Sequence, residues 1–269
     1  MLEKHNLNTV CSEARCPNIY ECWDNRTATV MILGDICTRS CGFCSVKTGK
    51  PLAADLNEPK RTSEFVEKLN LRHVVITSVD RDDLKKDFGA KIWHDTIVEI
   101  RKTSPTCTIE VLTPDFKGSQ KSLDKVFNAK PNIFSHNIEC VERISREIRP
   151  QSDWNRSLDV LKYAVENNMV TKTGMMVGLG EFDEEVYNTM DLIQSIGIEI
   201  FNIGQYLQPT IKHVSVDRYV TPEQFKDYKE YGLSIGFKVV ESGPLVRSSY
   251  HADQQARKLN NIENADNIA

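Results

Sequence analysis

Short β-branched and apolar runs alternate with amphipathic stretches along most of the chain, and this alternation constrains the fold more than any other feature. The runs are "TVMILG", "HVVITSV", "CTIEVLTP", "NIFSHNIE", "TKTGMMVGLG" and "EIFNIGQYL", and the stretches include "SEFVEKLN", "KIWHDTIVEIRK", "SLDVLKYAVENN" and "EEVYNTMDLIQSIG". They make six strand-then-helix units. Strands joined through helices form right-handed crossovers and a parallel sheet. The pattern admits an open doubly wound sheet or a barrel, whole or partial, although six units fall short of the eight of a closed TIM barrel. In either case functional groups gather at the carboxyl ends of the strands. Polar residues crowd those ends: Thr77, Ser78 and Asp80, then Asn137 and Glu139, then Glu181, then Gln205 and Tyr206.

A chain of 269 residues, 40% of them hydrophobic, can bury a large core. Its formal net charge of -4 supplies no broad basic field, so nucleic acid is not the expected partner. No apolar run reaches the roughly 18 residues of a membrane span, and "MLEKHNLNTV" lacks the apolar centre of a signal peptide. These features predict a cytoplasmic chain that engages no membrane. In such a reducing compartment eight cysteines point to metal or redox chemistry rather than disulfides. The last thirty residues turn polar and Asn-rich, the composition of a frayed tail.

Six cysteines fall in the first 44 residues as two triplets, Cys11, Cys16, Cys22 and Cys37, Cys41, Cys44, with spacings C-x4-C-x5-C and C-x3-C-x2-C. Structural zinc takes four ligands, typically from two short pairs, so a triplet on a loop after a strand leaves one position open. Zinc loops could use the same thiols. Two adjacent three-thiol groups are more simply two iron–sulfur clusters, each needing a further, non-cysteine ligand. Cys107 and Cys140 stand alone in strand-like surroundings and read as core thiols. His136 and His213 are isolated and receive no ligand role. No Ser-His-Asp or paired-carboxylate arrangement stands out for acid–base or nucleophilic work.

With the aromatic Phe43 before its last cysteine, "CTRSCGFC" resembles the signature of the radical S-adenosylmethionine superfamily. There the open iron of a 4Fe-4S cluster is chelated by the amino and carboxylate groups of S-adenosylmethionine. Together with "VVITSVDRDDL", "TKTGMMVGLGE", "GQYLQP" and "GPLVRSSYHAD", the two triplets make the chain similar to the lipoyl synthase family from Leu7 to Asp253. That resemblance implies an α/β fold, a partial (β/α)6 TIM-type barrel over 28–236. An extension over 1–27 would carry the auxiliary-cluster cysteines, and a segment over 237–269 would hold the RSSY motif and a polar tail.

It also implies the site. Cys37, Cys41 and Cys44 would hold the radical cluster, and Cys11, Cys16, Cys22 and Ser249, the second serine of "RSSY", an auxiliary cluster. A hard alkoxide on a soft iron–sulfur centre is a poorly matched ligand, which suits a cluster that is to be dismantled. Without the resemblance, "RSSYH" reads as a polar turn with Arg247 in a surface ion pair. Thr77, Ser78 and Asp80 would take the methionine part of the cofactor, unless they only cap a helix. Asn137 and Glu139 would meet its ribose and amino group. Met175 to Glu181, with Gln205, Tyr206 and Leu207, would line its adenine side, and Phe43 would also contact it.

The implied activity is sulfur insertion. An external low-potential electron donor reduces the first cluster, and S-adenosylmethionine is cleaved to methionine and a 5'-deoxyadenosyl radical. Hydrogens leave carbons 6 and 8 of an octanoyl chain carried on a lipoyl carrier domain or H protein. The auxiliary cluster gives the sulfurs and is restored by an iron–sulfur carrier. One rival is a two-cluster methylthiotransferase, whose added RNA-binding domain has no counterpart here. The other is a non-catalytic iron–sulfur or zinc protein, which leaves the long α/β repeat without a purpose.

Overall fold

Each of the six apolar runs forms a strand. The computed structural model describes residues 8–9, 18, 22 and 26–266. The strands are β1 (Asn8–Thr9), β2 (Thr27–Ile32), β3 (Ile36–Cys37), β4 (Lys47–Thr48), β5 (His73–Ser78), β6 (Thr108–Leu112), β7 (Ile133–Ser135), β8 (Thr171–Val177), β9 (Ile200–Gln205) and β10 (Val239–Gly243). The helices are α1 (Glu58–Lys68), α2 (Ala90–Thr103), α3 (Gln120–Asn128), α4 (Glu142–Ile148), α5 (Trp154–Glu166), α6 (Asp183–Ile196), α7 (Pro222–Ser234) and α8 (Ala252–Asp266). Side-chain caps fix several starts. Ser119, Asp153 and Thr221 accept the backbone N–H of Ser122, Arg156 and Gln224, and Pro222 opens α7 where its missing N–H costs nothing.

The main sheet runs β1-β2-β5-β6-β7-β8-β9-β10, antiparallel at β1–β2 and parallel thereafter. Six β/α units are followed by a seventh parallel strand, β10, which the sequence pattern did not mark because "VVESG" is short and ends in polar residues. The tail expected to fray instead forms α8, with Ala252, Gln255, Ala256 and Leu259 buried.

This helix shows that the sheet curls. It touches β5, β6 and β10. One short helix thus meets strands near both ends of the parallel series, as it does where a sheet curls around it. The sheet therefore wraps α8, and Ala256 and Leu259 pack with Ile133, Ile200 and Val239 at the strands' amino ends.

The two faces of the sheet differ in chemistry. Val74, Ile76, Ile109 and Val111 point outward and pack with Trp93, Ile97 and Ile100 of α2, each buried side chain contributing about 1.5–3 kcal/mol. The alternating inward positions carry His73, Thr77, Glu110, Ser135, Lys172, Asn202 and Glu241. Lys172 Nζ lies 2.9 Å from Glu110 Oε1, and His73 Nε2 lies 3.8 Å from Glu110 Oε2. Burial pushes the Glu110 carboxyl up, yet Lys172 and His73 hold it below the ordinary range. A polar, charge-paired lumen thus underlies the carboxyl ends of the strands. No helix among the described residues is long and apolar enough to cross a membrane.

Candidate active site at the strand carboxyl ends

The loop carrying Cys37, Cys41 and Cys44 leaves the carboxyl end of β2 and is closed by the β3–β4 ribbon, with Gly49 N–H donating to Cys37 C=O at 3.0 Å. Three other segments hold it. Thr38 N–H and its hydroxyl both donate to the Asp80 carbonyl, at 3.0 and 2.9 Å, beyond β5. Gly42 N–H donates to Ile148 C=O at the end of α4, at 2.7 Å. From the loop after β9, Val214 N–H donates to Gly42 C=O at 2.9 Å, and His213 Nε2 donates to Cys44 C=O at 3.0 Å.

Arg39, in the middle of the loop, is 4% exposed and ties it to the barrel. Its guanidinium meets Asp80 at 3.2 Å, Asp82 at 2.8 Å and Asp115 at 2.6 Å. Lys117 also meets Asp82, and Arg156 meets Asp115, so three cations answer three carboxylates. Burial would raise the Asp115 carboxyl, but the Arg39 hydrogen bond and charge hold it well below the carboxylate range. Asp80 goes the other way: burial raises it, and Arg39 only partly offsets this. Its Oδ2 lies 3.9 Å from Cys37 Sγ.

All three thiols are pushed up, first by burial: Cys41 to about 12 and Cys44 to about 11, with Cys37 raised also by Asp80. Arg149 opposes the rise at Cys41. Among the described residues no group of three or more His, Cys, Asp or Glu is placed to bind one metal ion. A cluster that seats each thiolate on its own iron spreads its ligands more widely than a single ion does, and it supplies the positive charge these buried sulfurs lack.

Glu139 sits beyond β7 with φ 70°, held by a parallel bridge to Met175. Burial raises its carboxyl against the opposing charge of Arg149. Asn137 Nδ2 lies 3.2 Å from Glu139 Oε1. Near them, Asn137 Oδ1, His136 Nε2 and Arg149 Nε are buried with no hydrogen-bond partner among the described residues. Unsatisfied donors and acceptors at one end of a barrel fit a polar ligand carrying both an amino and a carboxylate group.

The other expected residues are committed differently. Thr77 and Ser78 hydroxyls donate to the Leu112 and Val79 carbonyls, and the next helix starts only at Ala90, so they cap none. Glu181 accepts the N–H groups of Gly178 and Leu179 at 2.7 and 2.9 Å, tightening the "GLGE" turn. Gln205 uses both ends of its amide on backbone, donating to Arg218 C=O at 3.0 Å and accepting Val220 N–H at 2.9 Å. Tyr206 is 1% exposed and its hydroxyl donates to Val214 C=O. Both residues therefore brace the loop after β9, while Leu207 is exposed beside them. Phe43 and Val214 both pack half-buried against the second core cluster.

Cys11 and Cys16 lie outside the described residues. Cys22 N–H donates to Asn18 C=O at 3.0 Å, and Asn18 Nδ2 donates to Leu245 C=O at 2.8 Å, so the first triplet's segment meets the chain just before "RSSY". Ser249 is half-buried. Cys107 and Cys140 are buried thiols of the core clusters. Sequence reasoning missed Arg39, Arg149 and Asn202. An Arg between two ligand-type cysteines and an Asn inside the apolar "IFNIGQ" were the available signals. A cleft of 340 Å³ between α4, α5 and α6, lined by Arg143, Trp154 and Glu185 among others, contains none of these residues.

A cysteine loop at the mouth of a curled parallel sheet defines a radical S-adenosylmethionine protein, and residues 31–193 match the Radical SAM superfamily. The structure of Streptococcus suis SuiB bound to S-adenosylmethionine shares the fold, with a TM-score of 0.63 at 11% identity over 89% of this chain and 59% of that one. Lipoyl synthase of Rubrobacter xylanophilus is 56% identical over 252 residues, 93% of this chain and 78% of the relative. Lipoyl synthase of Bacteroides fragilis is 52% identical over 257 residues, 96% of this chain and 89% of the relative. The chain belongs to the lipoyl synthase family.

Proposed function

We propose that this member of the lipoyl synthases, the sulfur-inserting radical enzymes of lipoyl cofactor biosynthesis, uses two 4Fe-4S clusters held by its two cysteine triplets. Cys37, Cys41 and Cys44 would hold the one that takes S-adenosylmethionine, and Cys11, Cys16, Cys22 and Ser249 the one that gives sulfur. When bound, these groups supply the one-electron chemistry that breaks unactivated C–H bonds at carbons 6 and 8 of an octanoyl chain, and the sulfur that replaces the hydrogens.

The chain's own contribution is to bind, orient and exclude. Arg39 fixes the radical-cluster loop against Asp80, Asp82 and Asp115, so three flexible thiols are presented in one arrangement. Glu139, Asn137 and Arg149 offer an acceptor, a mixed amide and a cation suited to the amino and carboxylate groups of S-adenosylmethionine. Tyr206, Gln205 and Val214 press the loop after β9 over the cysteines and keep water away. The substrate would enter on an octanoylated lipoyl carrier domain or H protein. A low-potential electron donor and an iron–sulfur carrier for repair complete the expected partners.

The observation that carries the two-cluster reading is the Asn18–Leu245 hydrogen bond, which joins the segment between Cys16 and Cys22 to the approach of Ser249. Anaerobic reconstitution should give about eight irons per chain. Cys37→Ala, Cys41→Ala or Cys44→Ala should abolish cleavage of S-adenosylmethionine. Cys11→Ala, Cys16→Ala or Cys22→Ala should leave cleavage and stop lipoyl formation on an octanoylated carrier. Zinc alone, iron for one cluster, or equal loss of cleavage in both sets with the first cluster intact would overturn the reading.

A further inference from the structure

The stretch from Leu245 to Ser248 is gripped along its length. Asn18 Nδ2 holds the Leu245 carbonyl at 2.8 Å. Asn202 Nδ2, inside β9, donates to the carbonyls of Arg247 and Ser248 at 3.4 and 3.2 Å. Asn137 Nδ2 donates to the Ser248 hydroxyl at 2.7 Å. The backbone can come this close because position 204 is glycine: a Cβ there would lie 2.2 Å from Val246 C=O. Among the described residues the Ser249 hydroxyl makes no hydrogen bond, so the next side chain along stays available.

Asn137 faces two ways. The nitrogen that holds Ser248 is also 3.2 Å from Glu139 Oε1, and an amide nitrogen has two hydrogens to share between them. A cationic ligand group taking Glu139 competes for that oxygen. An amide that turned in response would carry with it the donor that fixes Ser248.

Resting on the reading that Ser249 completes the auxiliary cluster, we propose that Ser248 is a positioning residue. With Asn137 it latches the RSSY segment to the end of β7, and it makes the grip of Ser249 on its iron depend on whether the S-adenosylmethionine site is filled. The Asn202 contacts carry the same latch through the backbone.

The test uses the full chain, anaerobically reconstituted, with no electron donor so that nothing turns over. Iron release to a chelator is followed with and without S-adenosylmethionine, and the cluster's electron paramagnetic resonance signature is recorded in parallel. The wild type should release its most labile iron at rates that differ with S-adenosylmethionine. Ser248→Ala should release it about tenfold faster and without that response, the effect of losing one well-made buried hydrogen bond. Ser248→Thr, which keeps the hydroxyl, should restore both the rate and the response. Should Ser248→Ala fail to retain the cluster, restoration by Ser248→Thr supports the latch, and a Ser248→Thr that behaves like the alanine variant overturns it. A wild type indifferent to S-adenosylmethionine, or a Ser248→Ala that matches wild type, also overturns the latch. Wild-type protein holding only about four irons overturns the auxiliary-cluster reading itself.

Discussion

Val214 N–H donates to the Gly42 carbonyl at 2.9 Å, and a Cβ on Gly42 would stand 2.7 Å from Val214 Cγ2. The loop after β9 therefore rests directly on the backbone of the Cys37–Cys44 loop, at a point where a Cβ would force the Val214 side chain to move. Gly42 has no left-handed φ, so its requirement is one of packing, not of backbone strain. Gly42→Ala should destabilise the chain by about 1–3 kcal/mol in urea unfolding and lower the iron retained by Cys37, Cys41 and Cys44. Adding Val214→Ala should recover most of both. A double variant as weak as the single one would place the fault elsewhere.

Gln205 tests the same loop from its far end. Its amide joins Arg218 C=O and Val220 N–H, and Gln205→Ala leaves both buried groups unmet, at a cost of about 1–3 kcal/mol to the loop. Amide exchange at Val214 and Val220 should quicken while the amides of β2 and β5 keep their protection. Weaker S-adenosylmethionine binding with unchanged exchange would instead return Gln205 to the cofactor-contact role expected from its position.

Much of this was legible in the residues. The six strands are buried almost throughout because both faces of each are covered, so their apolar outward residues stand out in the sequence, and the thiol triplet after the first run marks the end of the sheet that carries chemistry. What was hidden depends on distance along the chain. Arg39 meets Asp115 across 76 positions, and nothing local in "CTRSC" says that its arginine is buried. The strand β10 and the helix α8 were hidden by their own composition, since "VVESG" is short and ends in polar residues, and α8 buries the polar Asp253 and Gln255 beside Ala252, Ala256 and Leu259. Polar spacing from "RSSY" likewise gives no hint that Ser248 reaches Asn137, 111 positions earlier.

The lumen ion pair gives a pH prediction. Glu110 is held below its ordinary value, so its contribution is fully present above about pH 4.3 and is lost as pH falls through the lower folded value. Glu110→Gln strands the Lys172 ammonium, 1% exposed, and should cost about 3–5 kcal/mol at pH 7. Glu110→Leu with Lys172→Met should regain most of that and flatten the acid limb of stability. Urea midpoints between pH 3 and 7 decide it: an acid limb as steep in the double variant as in wild type would show that this pair does not govern it.

Ser249 gives the sharpest test of how the two ends of the chain work together. Asn18 brings the first triplet's segment to Leu245, and Asn202 and Asn137 hold Arg247 and Ser248, so the next hydroxyl is delivered to the mouth of the barrel without any hydrogen bond of its own among the described residues. If that hydroxyl ligates the auxiliary cluster, Ser249→Ala should preserve S-adenosylmethionine cleavage and lose sulfur insertion. Ser249→Cys should keep the cluster bound, and its activity should also fall, because a soft thiolate makes the iron harder to lose than a hard alkoxide does. Deoxyadenosine and lipoyl product, measured together with iron content, separate these outcomes. Full lipoyl formation by Ser249→Ala would mean that the iron is completed by another group. A loss confined to Ser248→Ala would mean that the residue placed here as a latch is itself the ligand.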